Sequence, residues 1–471
     1  MFLKKLNELI DCDFDILIQG ITDDSREVKE GFLFVATKGF NVDHFDFLDD
    51  AINNGAVALI IPEDKEVLNL DIPVLRVANI DEMYPILCSR FYEINTTDFS
   101  FIGVTGTDGK TTSTYIVKCL LDNIKPTAYI GTNGVECLDS HIVSSNTTPC
   151  ISTMYSYLNF IKSRNCKQVV MEVSSEALLH KRVDSLKYKI VGFTNITEDH
   201  LNVHKTIENY IECKKSLLNY LEEDGIAIIN GDCANCKTIK CKNSVLYGFD
   251  LSNDCVISDV KEVSNKTIFN VKYLGNTYKI ISPFMGNYNV YNVTLAFLIC
   301  FHYGLAPEYL IDQITKLKPV SGRREKLNFT DKFDIILDYA HTYNGIVSVI
   351  ESAKNYENII VVTGCAGGRE REKRSKIGKY ILENSTIAIF TMDDPRYESV
   401  DSIIDDMVSL SDNKYIRIIS REEAICKAFE LASKLNNCVV LILGKGRDNY
   451  MAIKDEKIPY CDYDVVKDYF N

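Results

Sequence analysis

The sequence predicts an α/β protein built from two or three domains. Its 471 residues are too many for one ordinary hydrophobic core, and 46% of them are hydrophobic. In two separate stretches, short apolar runs alternate with segments of helical length, and a glycine-rich turn lies between a predicted strand and a predicted helix. Alternation of this kind produces a mostly parallel sheet with helices on both faces.

The first block of the chain ends near residue 98. It contains DSREVKEGFLFVATKG and AINNGAVALII, which combine short β-rich runs with turns and one helical segment. We therefore expect a small α/β domain at the amino-terminal end.

The second block starts at Phe99 and alternates strands and helices. Predicted strands are FIGVTG, TAYIG, QVVMEVSS, IVGFTNI and GIAIIN, and a helix is predicted over residues 207–220. Between about 244 and 282 the runs VLYGFD, TIFNVKYLG and NTYKIIS are short and interrupted by polar residues. This change predicts an antiparallel extension of the sheet, followed by a helix over residues 290–302.

A third block follows the segment PVSGRREKL. Here the alternation resumes with DIILDYA, NIIVVTG, TIAIFTM, YIRIIS and CVVLILGKG, separated by segments of helical length. The pattern predicts a second domain with a nucleotide-binding type of fold, similar to a Rossmann domain.

The glycine-rich turn GVTGTDGKTT is a variant P-loop. Gly103, Gly106 and Gly109 allow backbone N–H groups to surround an anion, Lys110 supplies a point charge, and Thr111 offers a hydroxyl to Mg²⁺. Residues 104 to 108 separate the outer glycines, one more than in the usual pattern. The residue types predict binding of a nucleoside triphosphate.

Composition limits the other functional classes. A formal net charge of -14 argues against wrapping nucleic acid, and the first residues make a poor signal peptide. No apolar run of membrane-spanning length is visible, so we expect a cytoplasmic protein. Most of the 16 cysteines lie in apolar contexts typical of reduced thiols. Cys233, Cys236 and Cys241 have a metal-like first spacing but no clear fourth ligand, which favours loop thiols over zinc.

Further motifs follow the P-loop in order: MEVSSEALLHKRVDSL, FTNITEDHLNVHKTIENYIECKKSLL, GNYNVYN, SGRREKL, DYAHT and GKGRDNY. Together they resemble the Mur ligases over nearly the whole chain. The early DSREVKEGFLFVATKG and the NTTP segment are similar to the branch that extends UDP-N-acetylmuramoyl-L-alanyl-D-glutamate. The resemblance implies a UDP-binding domain over residues 1–98, a central ATP-binding domain over 99–320 and an amino-acid-binding domain over 321–471. It also implies a hinge near Val320, and we expect a monomer.

The family reaction forms an amide in two steps. A substrate carboxylate attacks the γ-phosphate of ATP, and an amine then attacks the resulting acyl phosphate. The resemblance implies ATP and Mg²⁺ as cofactors, Lys110 as a phosphate ligand, and Thr111, Glu172, His200 and Lys214 as metal-site residues. Lys214 matches a lysine that the family carbamylates. Each of the last three residues has an alternative interpretation. Glu172 could be a solvated carboxylate at a strand end, His200 a hydrogen-bonded loop histidine and Lys214 a lysine on a helix surface.

The resemblance also implies binding residues at both ends of the site. Those for ATP are Gly106, Thr107, Gly109, Lys110, Thr111, Thr112, Asn292, Arg323, Asp338 and His341. Those for the UDP-muramoyl dipeptide are Ser25, Arg26, His44, Thr147, Thr148, Ser174, His180 and Arg182. Arg323 is followed by another arginine, and such a pair can also be a solvated patch.

The incoming amine is the least constrained part of the resemblance. Arg396 of DDPR matches the arginine that marks meso-diaminopimelate enzymes, whereas Asp394 and Asp448 replace an asparagine and a glutamate. Arg374 and Gly444 also match positions that hold the amino acid. We expect a diamino acid, with meso-diaminopimelate favoured and L-lysine, ornithine or lanthionine as alternatives. A ligase for another peptide acceptor, a duplicated copy and a noncatalytic scaffold are further hypotheses.

Overall fold

The structure, a computed structural model, describes residues 2–39, 43–67, 70–144, 146–263 and 266–471. Sheets of four, eleven and six strands follow one another along the chain, with two further two-stranded sheets. Helices accompany all three large sheets, so the predicted α/β class is confirmed. No helix in these described residues combines the length and the apolar character that crossing a bilayer requires.

The amino-terminal part contains a parallel sheet with the order β3-β4-β5-β6. Its described residues form three α-helices where the sequence predicted one, because α1 and α2 have only four and six residues and therefore show little periodicity. Its elements are β1 Lys4–Lys5, α1 Leu6–Leu9, β2 Leu17–Ile18, β3 Gly20–Thr22, β4 Phe32–Val35, α2 Leu48–Asn53, β5 Ala56–Pro62, β6 Val74–Val77 and α3 Ile80–Tyr92.

The central sheet has the order β10-β9-β8-β11-β7-β12-β13-β14-β15-β16-β17, which places the strand of the P-loop near its middle. Its elements are β7 Ser100–Thr105, α4 Lys110–Asp122, β8 Thr127–Gly131, β9 Gly134–Cys137, β10 Ser140–Ile142, α5 Ile151–Lys162, β11 Gln168–Glu172, α6 Ser175–Leu179, β12 Tyr188–Phe193, α7 Leu201–His204, α8 Ile207–Lys215, β13 Leu221–Asn230, β14 Ser244–Gly248, β15 Cys255–Val263, β16 Lys266–Tyr273, β17 Asn276–Ser282, α9 Asn287–Tyr303 and α10 Pro307–Ile314.

The expected antiparallel extension begins later than the sequence suggested. The VLYGFD run forms β14, which pairs with β13 in parallel, and β15 continues in parallel before β16 and β17 reverse direction. The segment between β13 and β14 crosses back over the sheet, so β14 enters in the same direction as its neighbour. The predicted helix over residues 207–220 ends as α8 at Lys215 and continues as a 3₁₀ helix, Ser216–Tyr220.

The carboxyl-terminal sheet has the order β18-β19-β23-β20-β21-β22, with only β18 antiparallel to its neighbour. Its elements are β18 Glu325–Leu327, β19 Asp334–Asp338, α11 Tyr343–Glu351, β20 Asn358–Thr363, α12 Glu372–Asn384, β21 Ile387–Phe390, α13 Val400–Val408, β22 Ile416–Arg417, α14 Arg421–Ala432, β23 Cys438–Leu443, β24 Tyr450–Ile453, β25 Glu456–Pro459 and α15 Asp462–Phe470.

The hydrophobic cores join these parts unequally. Tyr84 and Leu87 of α3 belong to the same buried cluster as Leu158 of α5, so the amino-terminal part and the central sheet share one core. The two clusters on the faces of the carboxyl-terminal sheet have members only within residues 327–470 of the described chain. The last sheet therefore packs as a separate body.

One buried ion pair fixes the end of the chain to this last sheet. The side chains of Arg421 and Asp462 are both 0% exposed, and the guanidinium donates to the two carboxylate oxygens at 2.7 Å each. Arg421 also donates to the carbonyl oxygen of Leu443, and the hydroxyl of Tyr460 donates to Asp462, each at 2.8 Å. Removing one partner would leave the other charge buried and uncompensated.

We predict that Asp462→Ala lowers the free energy of unfolding by about 3–5 kcal/mol, because Arg421 loses its buried counter-charge. Asp401→Ala is the matched control: Asp401 pairs with Arg417 at 2.9 Å but is largely exposed, so its loss should cost less than about 1 kcal/mol. Urea titration of both variants measures the difference. Equal effects of the two substitutions would contradict this role of the buried pair.

Candidate active site

A cavity of about 1170 Å³ lies between the central sheet and the carboxyl-terminal sheet. The P-loop and the end of β11 line one side of it, and the loops after β19, β20, β21 and β23 line the other. Predicted site residues that line the cavity are Thr107, Gly109, Lys110, Thr111, Thr147, Glu172, His200, Arg323, His341, Asp394, Arg396, Gly444 and Asp448.

The P-loop has the backbone that its glycines predict. Gly106 and Gly109 have φ values of +151° and +86°, a region that disfavours other residues. A Cβ at Gly106 would lie 1.8 Å from the hydroxyl of Thr194. The Lys110 ammonium folds back and donates to the carbonyl oxygens of Gly106 and Thr107 at 2.9 and 2.8 Å. Burial lowers the pKa of Lys110.

Glu172 ends β11 and is fully buried beside the P-loop. Its carboxylate accepts from the hydroxyl of Thr111 at 2.9 Å, the hydroxyl of Tyr129 at 2.5 Å and the backbone N–H of Thr132 at 2.9 Å. Parallel pairing of β11 with β7 brings Glu172 level with Val104, the second-last residue of β7. Sheet register thus places a carboxylate next to the threonine hydroxyl that the sequence assigned to Mg²⁺.

Lys214 lies on α8 with only 1% of its side chain surface exposed. Its ammonium donates to the carbonyl oxygen of Gly106 at 2.8 Å and lies 4.7 Å from the ring centre of Tyr210. Burial, reinforced by the charge of Lys110, holds the pKa of Lys214 well below its ordinary value. The alternative of a helix-surface lysine is therefore wrong; the adjacent Lys215 is the one paired with a surface glutamate.

His200 precedes α7 in a left-handed backbone conformation, with φ of +55°. Burial lowers its pKa to about 4, so the imidazole is neutral near neutral pH, which is its metal-binding form. Its Nδ1 is buried, lies 3.6 Å from a Glu176 oxygen and makes no hydrogen bond with any described residue. Its Nε2 lies 3.4 Å from a carboxylate oxygen of Asp199.

Arg323, at the start of the carboxyl-terminal body, already reaches the P-loop. Its Nη2 donates to the hydroxyl of Thr111 at 3.2 Å, and its guanidinium lies 4.6 Å from the ring centre of Tyr339. Its Nε is buried without a hydrogen-bond partner in the described chain. The side chain is therefore not part of a solvated arginine patch.

Of the other predicted ATP residues, His341 lines the cavity, whereas Asp338, Asn292 and Thr112 lie just behind its surface. Asp338 is buried and accepts from the backbone N–H groups of Arg324 and Ala340 at 2.6 and 2.7 Å, and burial raises its pKa. The Asn292 carboxamide accepts from Ser113 at 3.3 Å and would be only 2.3 Å from a Cβ at Gly109. Thr112 is buried on α4, and the ring of His341 bonds to the carbonyl oxygen of Tyr339 at 2.7 Å.

Residues predicted for the peptide form a connected cluster beneath Glu172. The Thr148 hydroxyl donates to the Glu172 carbonyl oxygen at 2.7 Å and accepts from the N–H of Ser174 at 3.0 Å. Arg182 donates to the carbonyl oxygen of Thr148 at 3.1 Å. Beside them, burial lowers the pKa of His180.

The residues predicted for the UDP end do not line the main cavity. Arg26 has an exposed side chain and pairs with Asp24 at 2.6 Å, and Ser25 is buried with its carbonyl oxygen bonded to Asn54. The ring of His44 lies 3.0 Å from the hydroxyl of Thr37. They remain grouped at one end of the amino-terminal sheet, where Glu27 reaches the cavity.

Three of the residues predicted for the incoming amine differ in their partners: Arg396 is unpaired among the described residues, whereas Asp394 and Asp448 both lie beside the ammonium of Lys445. Arg396 lines the cavity, and its guanidinium makes no hydrogen bond within the part of the chain that the structure describes. Asp394 Oδ1 accepts from the Lys445 ammonium and from the N–H of Ala452, both at 2.8 Å. Burial raises the pKa of Asp448, which lies 3.5 Å from the same ammonium.

Arg374 does not line the cavity. It is 0% exposed and donates to both Glu398 oxygens at 2.8 and 2.9 Å and to Asp406 at 2.9 Å. A neighbouring arginine, Arg369, does line the cavity, and its guanidinium has no hydrogen bond to a described residue. No sequence pattern separates these two arginines, since the partners of Arg374 lie 24 and 32 positions further along the chain.

Sequence reasoning also missed three contacts that join the two bodies or order their loops. Thr342 donates to Asp108 of the P-loop, Lys373 pairs with Asp199 at 3.3 Å, and the Arg447 guanidinium donates to Glu325. Thr342 and Arg447 lie in motifs of the sequence, but no local pattern predicts which residue each one contacts. The partners of Thr342 and Lys373 become visible only when the carboxyl-terminal body is placed on the central sheet.

The cavity fits a nucleotide with a divalent cation. Among the described residues, buried nitrogens of Arg323 and His200 have no hydrogen-bond partner, and Lys110 is bonded only to loop carbonyls that a phosphate could replace. No group of three or more His, Cys, Asp and Glu side chains among the described residues could hold a metal ion by itself. Mg²⁺ commonly uses one or two carboxylates together with substrate phosphates, and Glu172 with Thr111 matches that donor set.

Three family models match the chain in order: "Mur ligase family, catalytic domain" over residues 17–92, "Mur ligase middle domain" over 104–300 and "Mur ligase, glutamate ligase domain" over 322–446.

Relatives of the chain match it along nearly their whole length. A UDP-N-acetylmuramoyl-L-alanyl-D-glutamate--2,6-diaminopimelate ligase of Fusobacterium nucleatum is 33% identical, covering 98% of this chain and 95% of that protein. Ligase 2 of the same description from Clostridium acetobutylicum is 34% identical, with 98% and 97% covered. A solved structure of such a ligase is 25% identical, covers 100% and 99%, and has a TM-score of 0.65. Full-length agreement in sequence, domain order and fold places this chain in the Mur ligase family.

Proposed function

We propose that this protein is an ATP-dependent amide ligase that joins a diamino acid to UDP-N-acetylmuramoyl-L-alanyl-D-glutamate. The observation that carries the proposal is the single cavity onto which both the P-loop and the unpaired guanidinium of Arg396 open. A phosphate donor and a carboxylate-bearing amine can therefore meet at Glu172 and Lys110. We further propose a cytoplasmic monomer with domains over residues 1–98, 99–320 and 321–471.

In the first step, the D-glutamate carboxylate attacks the γ-phosphate of ATP and ADP leaves. Two anions must approach each other, so positive charge is needed at the point of attack. Lys110 and Arg323 both line the cavity, and Arg323 donates to the Thr111 hydroxyl, so these two side chains can supply that charge. Mg²⁺, held by Thr111 and Glu172 and at a second position by His200 and carbamylated Lys214, would neutralise the phosphate oxygens.

In the second step, the amine attacks the acyl phosphate carbon, phosphate leaves, and the amine nitrogen loses a proton. The carboxyl-terminal body must hold the amine with its nucleophilic nitrogen toward the central sheet. Arg396 suits the distal carboxylate of meso-diaminopimelate, because its guanidinium is free to form a bidentate pair. Arg369 is better placed than Arg374 for the main carboxylate, since Arg374 would first have to release Glu398 and Asp406.

For the nucleotide sugar, Ser25, Arg26 and His44 would contact the UDP end, and Thr147, Thr148, Ser174, His180 and Arg182 the muramoyl dipeptide. The hydroxyls of Thr147 and Thr132 form a hydrogen bond of 3.1 Å with each other next to Glu172. Both threonines line the cavity together with Glu172, which supports a role in receiving the D-glutamate carboxylate for the first step. A role in a separate peptide pathway, or as a second copy of the ligase, remains the alternative.

Phosphate release tests the proposed function directly. Purified protein is mixed with ATP, Mg²⁺ and UDP-N-acetylmuramoyl-L-alanyl-D-glutamate, and meso-diaminopimelate, L-lysine, ornithine and lanthionine are added separately. We expect release that depends on meso-diaminopimelate. Release with only another amine would move the specificity assignment, and no release with any amine would contradict the proposed acceptor.

We predict that Arg396→Ala raises the KM for meso-diaminopimelate about 10- to 100-fold, because a charge-assisted bond to the distal carboxylate is lost. Any residual turnover of L-lysine, which lacks that carboxylate, should change little. The control is Arg417→Ala, which removes an arginine of the same carboxyl-terminal body that is paired with Asp401 and Asp405 instead. Equal losses for both amines would contradict the assignment.

We predict that Lys214→Ala lowers the phosphate release rate about 10- to 100-fold, as loss of a metal-site group does. Short carboxylic acids should restore part of the rate, because they replace the carboxylate of a carbamate. Labelled bicarbonate should give a carbamate resonance in the wild-type protein alone. Lys215→Ala is the control, since Lys215 pairs with Glu212 at 2.7 Å on the same helix. No rescue and no resonance would argue against carbamylation.

A further inference from the structure

The phosphate-binding loop contains a carboxylate of its own. Asp108 lines the cavity, and its backbone is fixed by bonds to the side chains of Asn195 at 3.0 Å and Thr194 at 2.6 Å. No lysine or arginine of the described chain forms an ion pair with it at salt-bridge distance. A carboxylate held in this loop repels the triphosphate that the loop is proposed to bind, unless its charge is offset from elsewhere.

The offsetting group comes from the carboxyl-terminal body. The hydroxyl of Thr342 lies 3.2 and 3.1 Å from the two carboxylate oxygens of Asp108 and donates to them. Thr342 is the N-cap of the nine-residue helix Tyr343–Glu351, and its hydroxyl also accepts from the N–H of Gly345 at 3.0 Å. Asp108 therefore lies at the positive end of a helix, where an anion is stabilised.

We propose that Asp108 couples nucleotide affinity to the position of the carboxyl-terminal body, with Thr342 as its partner. This proposal rests on the proposed ATP site. When the two bodies separate, Asp108 loses both the hydroxyl and the helix terminus, and its full charge faces the phosphates. ATP then binds more weakly to the open arrangement, and by thermodynamic reciprocity ATP favours the closed one. Asp108 is thus a positioning residue.

The other contacts between the two bodies do not offset a negative charge of the P-loop. Arg323 is a cation, so it attracts phosphates whether or not it touches Thr111. Lys373 pairs with Asp199, which lies outside the P-loop. Among the contacts that the described residues make between the two bodies, only that of Asp108 offsets a repulsive charge of the P-loop when it forms. It can therefore penalise ATP binding in the open arrangement.

The test measures ATP affinity by calorimetry on the full chain with Mg²⁺, without peptide or amine. Thr342→Asp keeps an acceptor for the N–H of Gly345 but cannot donate to Asp108, so the Kd for ATP should weaken about tenfold or more. Adding Asp108→Asn should return the Kd to within about threefold of wild type, because the new amide can donate to the introduced carboxylate. Ser420→Asp is the matched control, since Ser420 caps Arg421–Ala432 in the same body.

Asp108→Asn alone provides a second measurement that does not depend on the folding of Thr342→Asp. It should bind ATP at least as tightly as wild type, and it should show a smaller ATP-dependent contraction in small-angle scattering. An unchanged Kd in Thr342→Asp, the same loss in the Asp108→Asn background, or an equal loss in Ser420→Asp would overturn the proposal. Absence of ATP binding by the wild-type chain would instead overturn the proposed function on which it rests.

Discussion

The site depends on one carbonyl oxygen, that of Gly106. Lys110 and Lys214 donate to it at 2.9 and 2.8 Å, and a carbonyl has two lone pairs with which to accept both. Two buried lysine side chains on one acceptor repel each other when both are protonated, and burial lowers the pKa of each. The loop needs glycine at this position, because a Cβ would collide with Thr194 and displace the carbonyl oxygen that both lysines share.

The three parts of the chain differ in how easily they can move relative to one another, because different kinds of contact hold them together. Separating the amino-terminal part from the central sheet would expose a shared apolar cluster, which costs free energy in proportion to the area exposed. Separating the carboxyl-terminal body would break mainly polar contacts, such as those of Lys373 and Thr342, which water can replace. The P-loop and the proposed peptide site therefore move together, while the residues for the amine can approach and withdraw.

The sequence was most informative where function depends on local backbone. The strand, glycine turn and helix around Lys110 were predictable from consecutive residues, and so was the strand-end position of Glu172. Predictions were weaker where a side chain's role depends on a distant partner. Arg374 matched a binding motif, yet Glu398 and Asp406 occupy its guanidinium. The direction of β14 also depended on a crossover that its short, polar-interrupted sequence does not encode.

The amine end shows why residue type alone misjudges charge. Asp394 adds a negative charge in place of an amide, but Lys445 donates to its Oδ1 and offsets that charge. Asp448 lies near the same ammonium, so the three groups together carry a net charge of at most one negative unit. Arg396 lines the same cavity with an unpaired positive charge.

A substrate whose far end carries both an ammonium and a carboxylate satisfies both charges, as meso-diaminopimelate and lanthionine do. L-lysine and ornithine leave Arg396 without a partner. The choice within the first pair then rests on the length of the chain between the two ends, which charge does not decide.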